Sequence, residues 1–485
     1  MKRTMIVAIL ALGCMHPAWA QIGKERANSF TDFQKFRDSI FNDFESFRRQ
    51  ANEEYARFMQ EPWKEVETKP EMKLPEKPKP PKPVVAVPTE RPKAEPIPFD
   101  GAMVKPKPIE KPRPEPMEPI KMTPRPNEPV NTFKFFDTPM AFHFSKSHQL
   151  KLEDVSEKSV AALWTQLSDA YYDNLIVECL NHRNRYNLCD WAYMLLTKEV
   201  AEACCGGPTN ESVVMHMYLL TQSGYQVRLG RSYKKLTVLF GSDEHIYRYK
   251  FLNEDGLYFY ILDRSITQPP FYVYDHAFPK EKSFSLAISL PDLNVVKSEE
   301  HTFVSKKFPD VKVTVSTNQN LIDFCNTFPP SGEWNNYARA SLSDMLKENL
   351  LPVLQEAIKG KSEWDAANIL INFVQTGFEY KVDEDQFGYE RPLFPDEIFY
   401  YPYSDCEDRS ILFACLVREL MGLDVVFLDY PEHLATAVRF NEPVIGDYLE
   451  IDGQKYVVCD PTYINALVGM CMPQFKNVKP KVQRI

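Results

Sequence analysis

A cysteine just ahead of a long apolar helix is the residue of this sequence best placed for nucleophilic chemistry. Ser404 and Glu407 have the spacing of a capping box, which predicts a helix with Ser404 as its cap and Cys406 at its second position. The partial positive charge at a helix start favours the thiolate, which is the nucleophilic form of cysteine. Backbone N–H groups of the first turn could also stabilise an oxyanion. This spacing predicts an activated cysteine.

A histidine and an aspartate follow at the ends of two predicted strands. His433 precedes the strand predicted at Ala435 to Phe440, and Asp460 ends the strand predicted at Tyr456 to Cys459. A cysteine nucleophile needs a base and a residue that orients the base, and neighbouring antiparallel strands can bring such side chains together. Because successive strand residues point to opposite faces, we assign Asp460 to the cleft and Cys459 to the core. A lone cysteine or histidine is more often structural, but the ordered trio with its capping box and hairpin predicts a triad.

These motifs together resemble the transglutaminase-like (papain-like cysteine enzyme) superfamily. The resemblance covers roughly residues 360–470 and is carried by residues 405–410 (Asp-Cys-Glu-Asp-Arg-Ser), the apolar helix to Gly422, His433, and Asp460-Pro461-Thr462. One departure is Leu434-Ala435 after the histidine, where the family commonly has alanine and then an aromatic residue. The family carries its cysteine at a helix N-terminus and its histidine and aspartate on adjacent strands. The resemblance therefore implies an α+β core with a helix-borne cysteine packed on an antiparallel sheet.

The resemblance implies a cysteine-dependent enzyme of acyl transfer. Cys406 would attack a peptide or carboxamide carbonyl, His433 would relay the proton, and Asp460 would orient the imidazole. Bacterial members look more often like peptidases or amidases, which favours hydrolysis. Two alternatives stay open: a catalytically silent binding or scaffold protein of the cell envelope, and a true protein-crosslinking transglutaminase. We predict a protein or peptide substrate, no cofactor and no metal, since no Cys-x-x-Cys or His-x-x-x-His pair has the spacing of zinc ligands.

Residues 336–485 are predicted to form the catalytic unit. Helices are expected at Leu342 to Lys359, Glu363 to Thr376 and Ser404 to Met421, followed by strands at Val425 to Asp429, Ala435 to Phe440, Tyr448 to Ile451 and Tyr456 to Cys459. Asp452-Gly453 predicts the turn of the last hairpin. Helices first and antiparallel strands after them indicate an α+β class. An aromatic loop before the nucleophile could wall a substrate groove or cover the core: Phe387, Tyr389, Phe394, Phe399, Tyr400, Tyr401 and Tyr403.

Residues 132–275 resemble a degenerate copy of that unit. Helices are predicted at Ala161 to Asp173, Asp190 to Ala203 and Glu211 to Gly224, and strands at Tyr225 to Leu229, Thr237 to Phe240, Ile246 to Phe251 and Tyr258 to Leu262. Asp263 then matches Asp460, and His245 is a possible match to His433. The position of Cys406 falls on Pro208 or Thr209, although a gap could bring Cys204 or Cys205 there. Residues 276–335 are predicted to be a β-rich connection, with a strand at Val311 to Val315.

Residues 1–20 have the pattern of a secretory signal. Lys2 and Arg3 precede an apolar run from Met5 to Met15, and Ala18-Trp19-Ala20 is a cleavage site before Gln21. A lipoprotein signal ending at Cys14 is the less favoured alternative. The pattern predicts an exported protein of a bacterial envelope, periplasmic or at the cell surface or secreted.

Residues 21–131 are predicted to be a helix and a linker. Aromatic residues recur at helical spacing over 27–60, within region 21–65, which predicts an amphipathic helix packed on the folded domains or on a copy of itself. An envelope protein is the partner that this helix could bind. Residues 66–131 hold 19 of the chain's 39 prolines. Proline removes backbone donors, so we expect an extended spacer that joins no helix or sheet.

Composition excludes two classes of function. The net charge of −10, from 57 basic and 67 acidic residues, argues against a nucleic-acid-binding surface. No apolar stretch reaches the roughly 20 residues of a transmembrane helix.

Beyond the signal the chain has an odd number of cysteines, which would leave at least one free thiol if the rest pair: 179, 189, 204, 205, 325, 406, 415, 459 and 471.

Overall fold

The chain has a mixed α+β fold, as its pattern of helices and strands predicts. The computed structural model describes residues 44–74, 82–87, 92–101, 103–104, 114–117, 119–146, 150–254, 256–266 and 268–485. The predicted signal and the first part of the predicted N-terminal helix lie outside these residues. Within them, no helix combines the length and the apolar character needed to cross a membrane.

The elements are numbered in chain order. The helices are α1 (44–58), α2 (Glu157–Leu167), α3 (Asp173–Arg185), α4 (Asp190–Cys205), α5 (Asn210–Gln222), α6 (Gln319–Thr327), α7 (Trp334–Arg339), α8 (Asp344–Ile358), α9 (Glu363–Gly377), α10 (Asp383–Phe387), α11 (Pro395–Tyr400) and α12 (Cys406–Met421). Strands of the first half are β1 (Lys64–Val66), β2 (Met103–Val104), β3 (Val130–Phe135), β4 (Thr138–His143), β5 (Val227–Ser232), β6 (Lys235–Ser242), β7 (Phe251–Glu254), β8 (Leu257–Ile261) and β9 (Phe271–Tyr274). Strands of the second half are β10 (His301–Val304), β11 (Lys312–Val315), β12 (Glu379–Tyr380), β13 (Tyr403–Ser404), β14 (Asp424–Tyr430), β15 (His433–Arg439), β16 (Tyr448–Ile451), β17 (Gln454–Cys459) and β18 (Lys481–Arg484).

Two six-stranded sheets have the same strand order. Read from the edge strand that comes earliest in the chain, the first sheet runs β1-β9-β5-β6-β8-β7 and the second runs β2-β18-β14-β15-β17-β16. Helices α4 and α5 pack against each other beside the first sheet, as α9 and α12 do beside the second. The outermost strands differ, because β1 is antiparallel to β9 whereas β2 is parallel to β18. The two units are therefore built on one plan.

Helix α12 carries the predicted nucleophile and is buried from Cys406 to Val417. Its cap is Asp405, and the Asp405 backbone N–H donates to Asp408 Oδ2 at 3.2 Å. The prediction of Ser404 as the cap is wrong by one residue, because Ser404 belongs to the short strand β13 and its Oγ accepts from Arg409 Nε. The helix ends at Gly422, whose φ of 65° is left-handed, as the sequence predicts for a helix-ending glycine.

The hairpins of the second sheet bring the other two predicted residues to one edge. Tyr430 pairs with His433 across the turn between β14 and β15, and Thr436 pairs with Cys459 between β15 and β17. The predicted turn at Asp452-Gly453 is confirmed, since both residues have positive φ, 51° and 72°. His433 therefore begins a strand whose neighbour ends immediately before Asp460.

The prediction that residues 66–131 join no sheet is wrong for several of its described parts. Met103–Val104 form the edge strand β2, Val85 bridges to Ile464, and Pro96 bridges to Tyr448. The side chains of Ala86 and Ile97 are buried. The non-proline residues between the prolines keep their N–H groups and apolar side chains, so that they can pair with sheet edges that would otherwise stay open.

The described part of the N-terminal helix, α1, packs on the first unit, which agrees with the predicted packing on the folded domains. Arg48 Nη1 donates to Asp173 Oδ1 at 2.7 Å, and the ring of Tyr55 lies 4.8 Å from that of Trp164. Phe47 belongs to the predicted apolar stripe but is exposed.

The connecting segment 276–335 is less β-rich than predicted. The hairpin of β10 and β11 covers the strand predicted at Val311 to Val315, but helix α6 follows at once. One apolar core continues from the first unit through this segment to α12. The segment therefore joins the two units through packed side chains.

Candidate active site

Cys406 occupies the first position of α12 and is 2% exposed. Its Sγ donates to Glu407 Oε2 at 3.0 Å. The sequence predicts the second helical position for this thiol, and the shift by one residue follows from Asp405 being the cap. The thiol still lies in the first turn, where the helix dipole favours negative charge.

His433 and Asp460 form a buried hydrogen-bonded pair. His433 Nε2 lies 2.8 Å from Asp460 Oδ2, and both side chains are nearly inaccessible to solvent. Asp460 Oδ1 accepts from the backbone N–H groups of Thr462 and Tyr463 at 2.9 and 3.1 Å. These bonds fix the carboxylate, which in turn fixes the imidazole. Since Nε2 is engaged by Asp460, Nδ1 is the ring nitrogen left for proton transfer.

The thiol and the imidazole line the same cavity of about 180 Å³. The ring of Phe475 stacks on His433 with its centroid 5.2 Å away and sets the orientation of the imidazole from the other side. Asp460 lies behind His433 and does not line the cavity. The structure therefore brings the three predicted residues together. The cavity is completed by Pro83, Val84, Tyr380, Glu432, Thr462, Met472, Gln474 and Phe475.

A buried arginine follows the nucleophile by one helical turn. Arg409 Nη2 donates to Phe378 O at 2.9 Å, Nη1 donates to Gln375 O at 3.2 Å, and Nε donates to Ser404 Oγ at 3.2 Å. Burial lowers the pKa of Arg409 to about 10, although the charges of Tyr380, Asp405, Asp408 and Cys406 act in the opposite direction. The sequence analysis quotes Arg409 in its motif without giving it a role. The structure shows that Arg409 links α12 to the C-terminal end of α9, which holds the first turn of α12 in place.

Carboxylates surround the other side of the first turn. Five are buried, and three overlapping sets each bring donor atoms within 4.8 Å of one another: Asp405, Cys406 and Glu407; Asp383, Glu390 and Glu407; Asp383, Asp405 and Asp408. Oxygen donors of this kind suit hard divalent cations. Spacing along the sequence could not predict the cluster, because α10 and the loop after it bring Asp383 and Glu390 there. Such clusters also occur without an ion, and this one defines no metal site by itself.

The aromatic loop before the nucleophile covers the core. Phe394 and Phe399 are 2% and 1% exposed, and the loop folds into the short helices α10 and α11. None of its seven aromatic residues is among the described residues that line the cavity around Cys406. Of the two alternatives from the sequence, the structure supports core coverage.

The other thiols differ from Cys406 in their surroundings. No disulfide joins any two of the nine cysteines in the described part of the chain. Burial raises the pKa of Cys415 and of Cys471 to about 12, and it also raises the pKa of Cys325 and of Cys459. These four thiols are therefore held in their protonated, unreactive form.

The first unit has different side chains at two of the three matching positions and an aspartate at the third. Asn210 stands at the first position of α5, as Cys406 does in α12. Lys235 pairs with Ser232 across a two-residue turn, which is the register position of His433. Lys235 Nζ lies 2.6 Å from Asp263 Oδ2, so a lysine replaces the histidine beside the matching aspartate.

These positions correct two predictions for the first unit. His245 follows β6 and packs against Tyr258, so it does not match His433. The matching position for the nucleophile is Asn210 rather than Pro208 or Thr209. Cys204 and Cys205 end the preceding helix α4. Asn210 Nδ2 donates to Lys234 O at 2.8 Å, and its Oδ1 accepts from Leu236 N at 2.9 Å. This side chain therefore hydrogen-bonds the backbone at the start of β6.

The fold thus defines an α+β protein with two similarly built units, one of which has a cysteine and a histidine lining a cavity and an aspartate bonded to that histidine. Comparison of the chain with models of protein families, with curated proteins and with solved structures finds no match. The resemblance to the transglutaminase-like superfamily accordingly rests on the sequence motifs alone.

Proposed function

We propose that this chain is a cysteine-dependent acyl-transfer enzyme of the transglutaminase-like type that hydrolyses peptide or carboxamide bonds. The observation that carries the proposal is the 2.8 Å contact between His433 and Asp460, since His433 lines the same cavity as the helix-borne Cys406. Nucleophile, base and orienting group are the minimum set for this chemistry.

Cys406, His433 and Asp460 each act at a defined step of the proposed reaction. The thiol leaves Glu407 and turns to His433, whose Nδ1 accepts its proton while Asp460 stabilises the imidazolium. The thiolate sulfur adds to the carbonyl carbon, and N–H groups of the first turn of α12 stabilise the oxyanion. His433 then protonates the departing amine, leaving a thioester on Cys406. Water, deprotonated by His433, attacks the thioester and releases the carboxylic acid and the free thiol.

A second candidate is a binding or scaffold protein that does no chemistry. It is favoured by the bond from Cys406 to Glu407 and by the lysine at the histidine position of the first unit. A crosslinking enzyme would use the same thioester with an amine in place of water.

The decisive experiment combines covalent labelling with substitution. We expect an amide-directed electrophile to modify Cys406 in the native protein, and Cys406→Ala to abolish hydrolysis of a peptide library. Cys205→Ala is the matched control, because Cys205 is a partly exposed thiol of the first unit. Equal residual activity of wild type and Cys406→Ala would reject the catalytic assignment and favour the binding protein.

We also propose that the protein is exported to the periplasm, the cell surface or the medium. The support is the signal-like pattern of residues 1–20. Sequencing the N-terminus of the protein from its native envelope tests this, with Gln21 as the expected first residue. An N-terminus at a lipidated Cys14 would support the lipoprotein alternative, and an intact Met1 would contradict export.

A further inference from the structure

Residues 82–87 of the proline-rich region, here called the strap, are bound to the catalytic unit through their backbone. Ile464 N–H donates to Val84 O at 2.9 Å, and Ala86 N–H donates to Ile464 O at 2.8 Å. Val85 and Ile464 form a parallel β-bridge. The contact is the pairing of an extended peptide with the chain that follows the catalytic aspartate.

The strap also reaches the cavity of the proposed triad. Pro83 and Val84 line it together with Cys406 and His433. Thr462, two residues before the strap's partner Ile464, lines it as well. The pairing therefore continues directly into the space where a substrate carbonyl must lie to meet the thiol.

Only one side chain of the strap is deeply anchored. Ala86 is 2% exposed and belongs to the apolar cluster under the second sheet, whereas its neighbours Val85 and Val87 are 60% and 55% exposed. Alternation of inward and outward side chains, with hydrogen bonds made by the main chain, is the pattern of strand addition at a sheet edge. The main-chain hydrogen bonds can form with any residue except proline. Selectivity for one side chain must therefore come from the apolar surroundings of Ala86.

We propose that the strap lies in the substrate subsite of this enzyme, and that the substrate is an extended peptide that pairs with residues 462–464 and places a small apolar side chain in the Ala86 pocket. This inference rests on the proposed function. Strap and substrate then exclude each other. Because the strap is tethered, its effective concentration is on the order of millimolar, and a weakly binding peptide cannot displace it.

The test uses variants of the full chain in a Cys406→Ala background, so that binding is measured without turnover. Ala86→Asp puts a charge into an apolar pocket and should expel the strap, whereas Val87→Asp places the same charge on an exposed neighbour. The probe is a fluorescent peptide with the sequence of residues 82–87, Lys-Pro-Val-Val-Ala-Val. We expect the Ala86→Asp protein to bind it at least tenfold more tightly than the Val87→Asp protein, as measured by anisotropy. A probe carrying aspartate in place of its alanine should not bind.

Hydrogen exchange supplies a second readout. The Ile464 amide should exchange faster in Ala86→Asp than in Val87→Asp, and the probe peptide should restore its protection. If Ala86→Asp does not fold, Ala86→Pro removes the donor to Ile464 O without burying a charge. Equal weak binding by all folded variants, or unchanged exchange at Ile464, would overturn the proposal. Because both readouts are made without the thiol, they can fail while Cys406 remains catalytic, and succeed if it is not.

Discussion

At the scale of single residues, the site is governed by which group holds the proton of Cys406. The thiol is bonded to Glu407, while His433 is already fixed by Asp460 and stacked on Phe475. The structure therefore shows a thiol bonded to Glu407 and a fixed imidazole lining the same cavity. The helix dipole and Arg409 favour the thiolate, whereas the adjacent carboxylates oppose it. Reactivity should depend on this local balance more than on exposure.

We expect Glu407→Gln to raise the rate at which iodoacetamide alkylates Cys406 at pH 6.5 several-fold. The substitution removes a negative charge 3.0 Å from the sulfur, and an amide N–H can donate to the thiolate. A unit charge at this distance is worth roughly 1.4 to 5.5 kcal/mol, depending on the local dielectric constant. Glu432→Gln is the matched control, because Glu432 lines the same cavity without bonding the thiol. An unchanged rate in Glu407→Gln would mean that Glu407 does not control the thiol, and a slower rate would show that Glu407 helps to activate the cysteine.

Site-resolved alkylation of the folded wild type should modify Cys406 before Cys204 and Cys205. The two first-unit cysteines are more exposed, but burial raises the pKa of Cys204, and it raises the pKa of Cys205 to about 12. A small reagent such as iodoacetamide, followed across pH 5 to 9 by mass spectrometry, distinguishes thiolate character from access. Preferential labelling of Cys204 or Cys205 below pH 8 would mean that exposure decides and that the helix start does not activate Cys406.

At the scale of elements, local patterns predicted the parts that carry the triad, and contacts between distant segments decided the rest. Helix α12, its glycine stop and the Asp452-Gly453 turn are visible in the sequence because each depends on neighbouring residues. The sequence pattern does not indicate helix α3, because its first turn buries the polar residues Asp173 and Asn174. These side chains are satisfied by distant partners, since Arg48 bonds Asp173 and Thr123 bonds Asn174. The carboxylate cluster and the strap contact were also unpredictable, because each joins residues from separate parts of the chain.

Helix α5 contains a buried histidine that should make stability depend on pH. Burial lowers the pKa of His216 to about 3, and its Nε2 lies 3.0 Å from Met194 O. The unfolded chain takes up this proton near pH 6.5, whereas the folded chain does not. The contribution of His216 is therefore fully present above pH 6.5 and is lost as the pH falls towards 3.

We expect the urea-unfolding free energy of the wild type to fall by about 2 kcal/mol more than that of His216→Gln between pH 7 and pH 5. Glutamine can still donate to Met194 O, so the variant should fold. Comparing the two slopes cancels the shared contribution of the carboxylates. Parallel slopes would mean that His216 is protonated in the folded state as readily as in the unfolded one.

At the scale of the whole molecule, two sheets of the same strand order share one continuous core and differ in chemistry. Asn336 Nδ2 of the second unit donates to Glu244 Oε2 of the first at 3.2 Å, so the two units are packed together. The ring of Phe328, in the connecting segment, lies 5.2 Å from that of Phe394 in the second unit. The first unit has a cavity of about 870 Å³ lined by Asn210, Lys235 and Asp263 at the triad positions. An ion pair there occupies the positions that His433 and Asp460 hold in the second unit.

The two aspartates at matching positions provide the sharpest comparison between the units. Asp460→Asn should lower turnover by 100-fold or more, because the amide cannot stabilise the imidazolium and can hold His433 in the wrong tautomer. Asp263→Asn should leave turnover unchanged and cost at most about 1 kcal/mol of stability, since its partner Lys235 is largely exposed. Both substitutions preserve shape, and thermal unfolding would show that both proteins fold.

The measurement for this pair of aspartate variants is hydrolysis of the same peptide library by the full chain. Loss of turnover in Asp263→Asn with activity retained in Asp460→Asn would place the chemistry in the first unit, and no effect of either would remove the triad as its source.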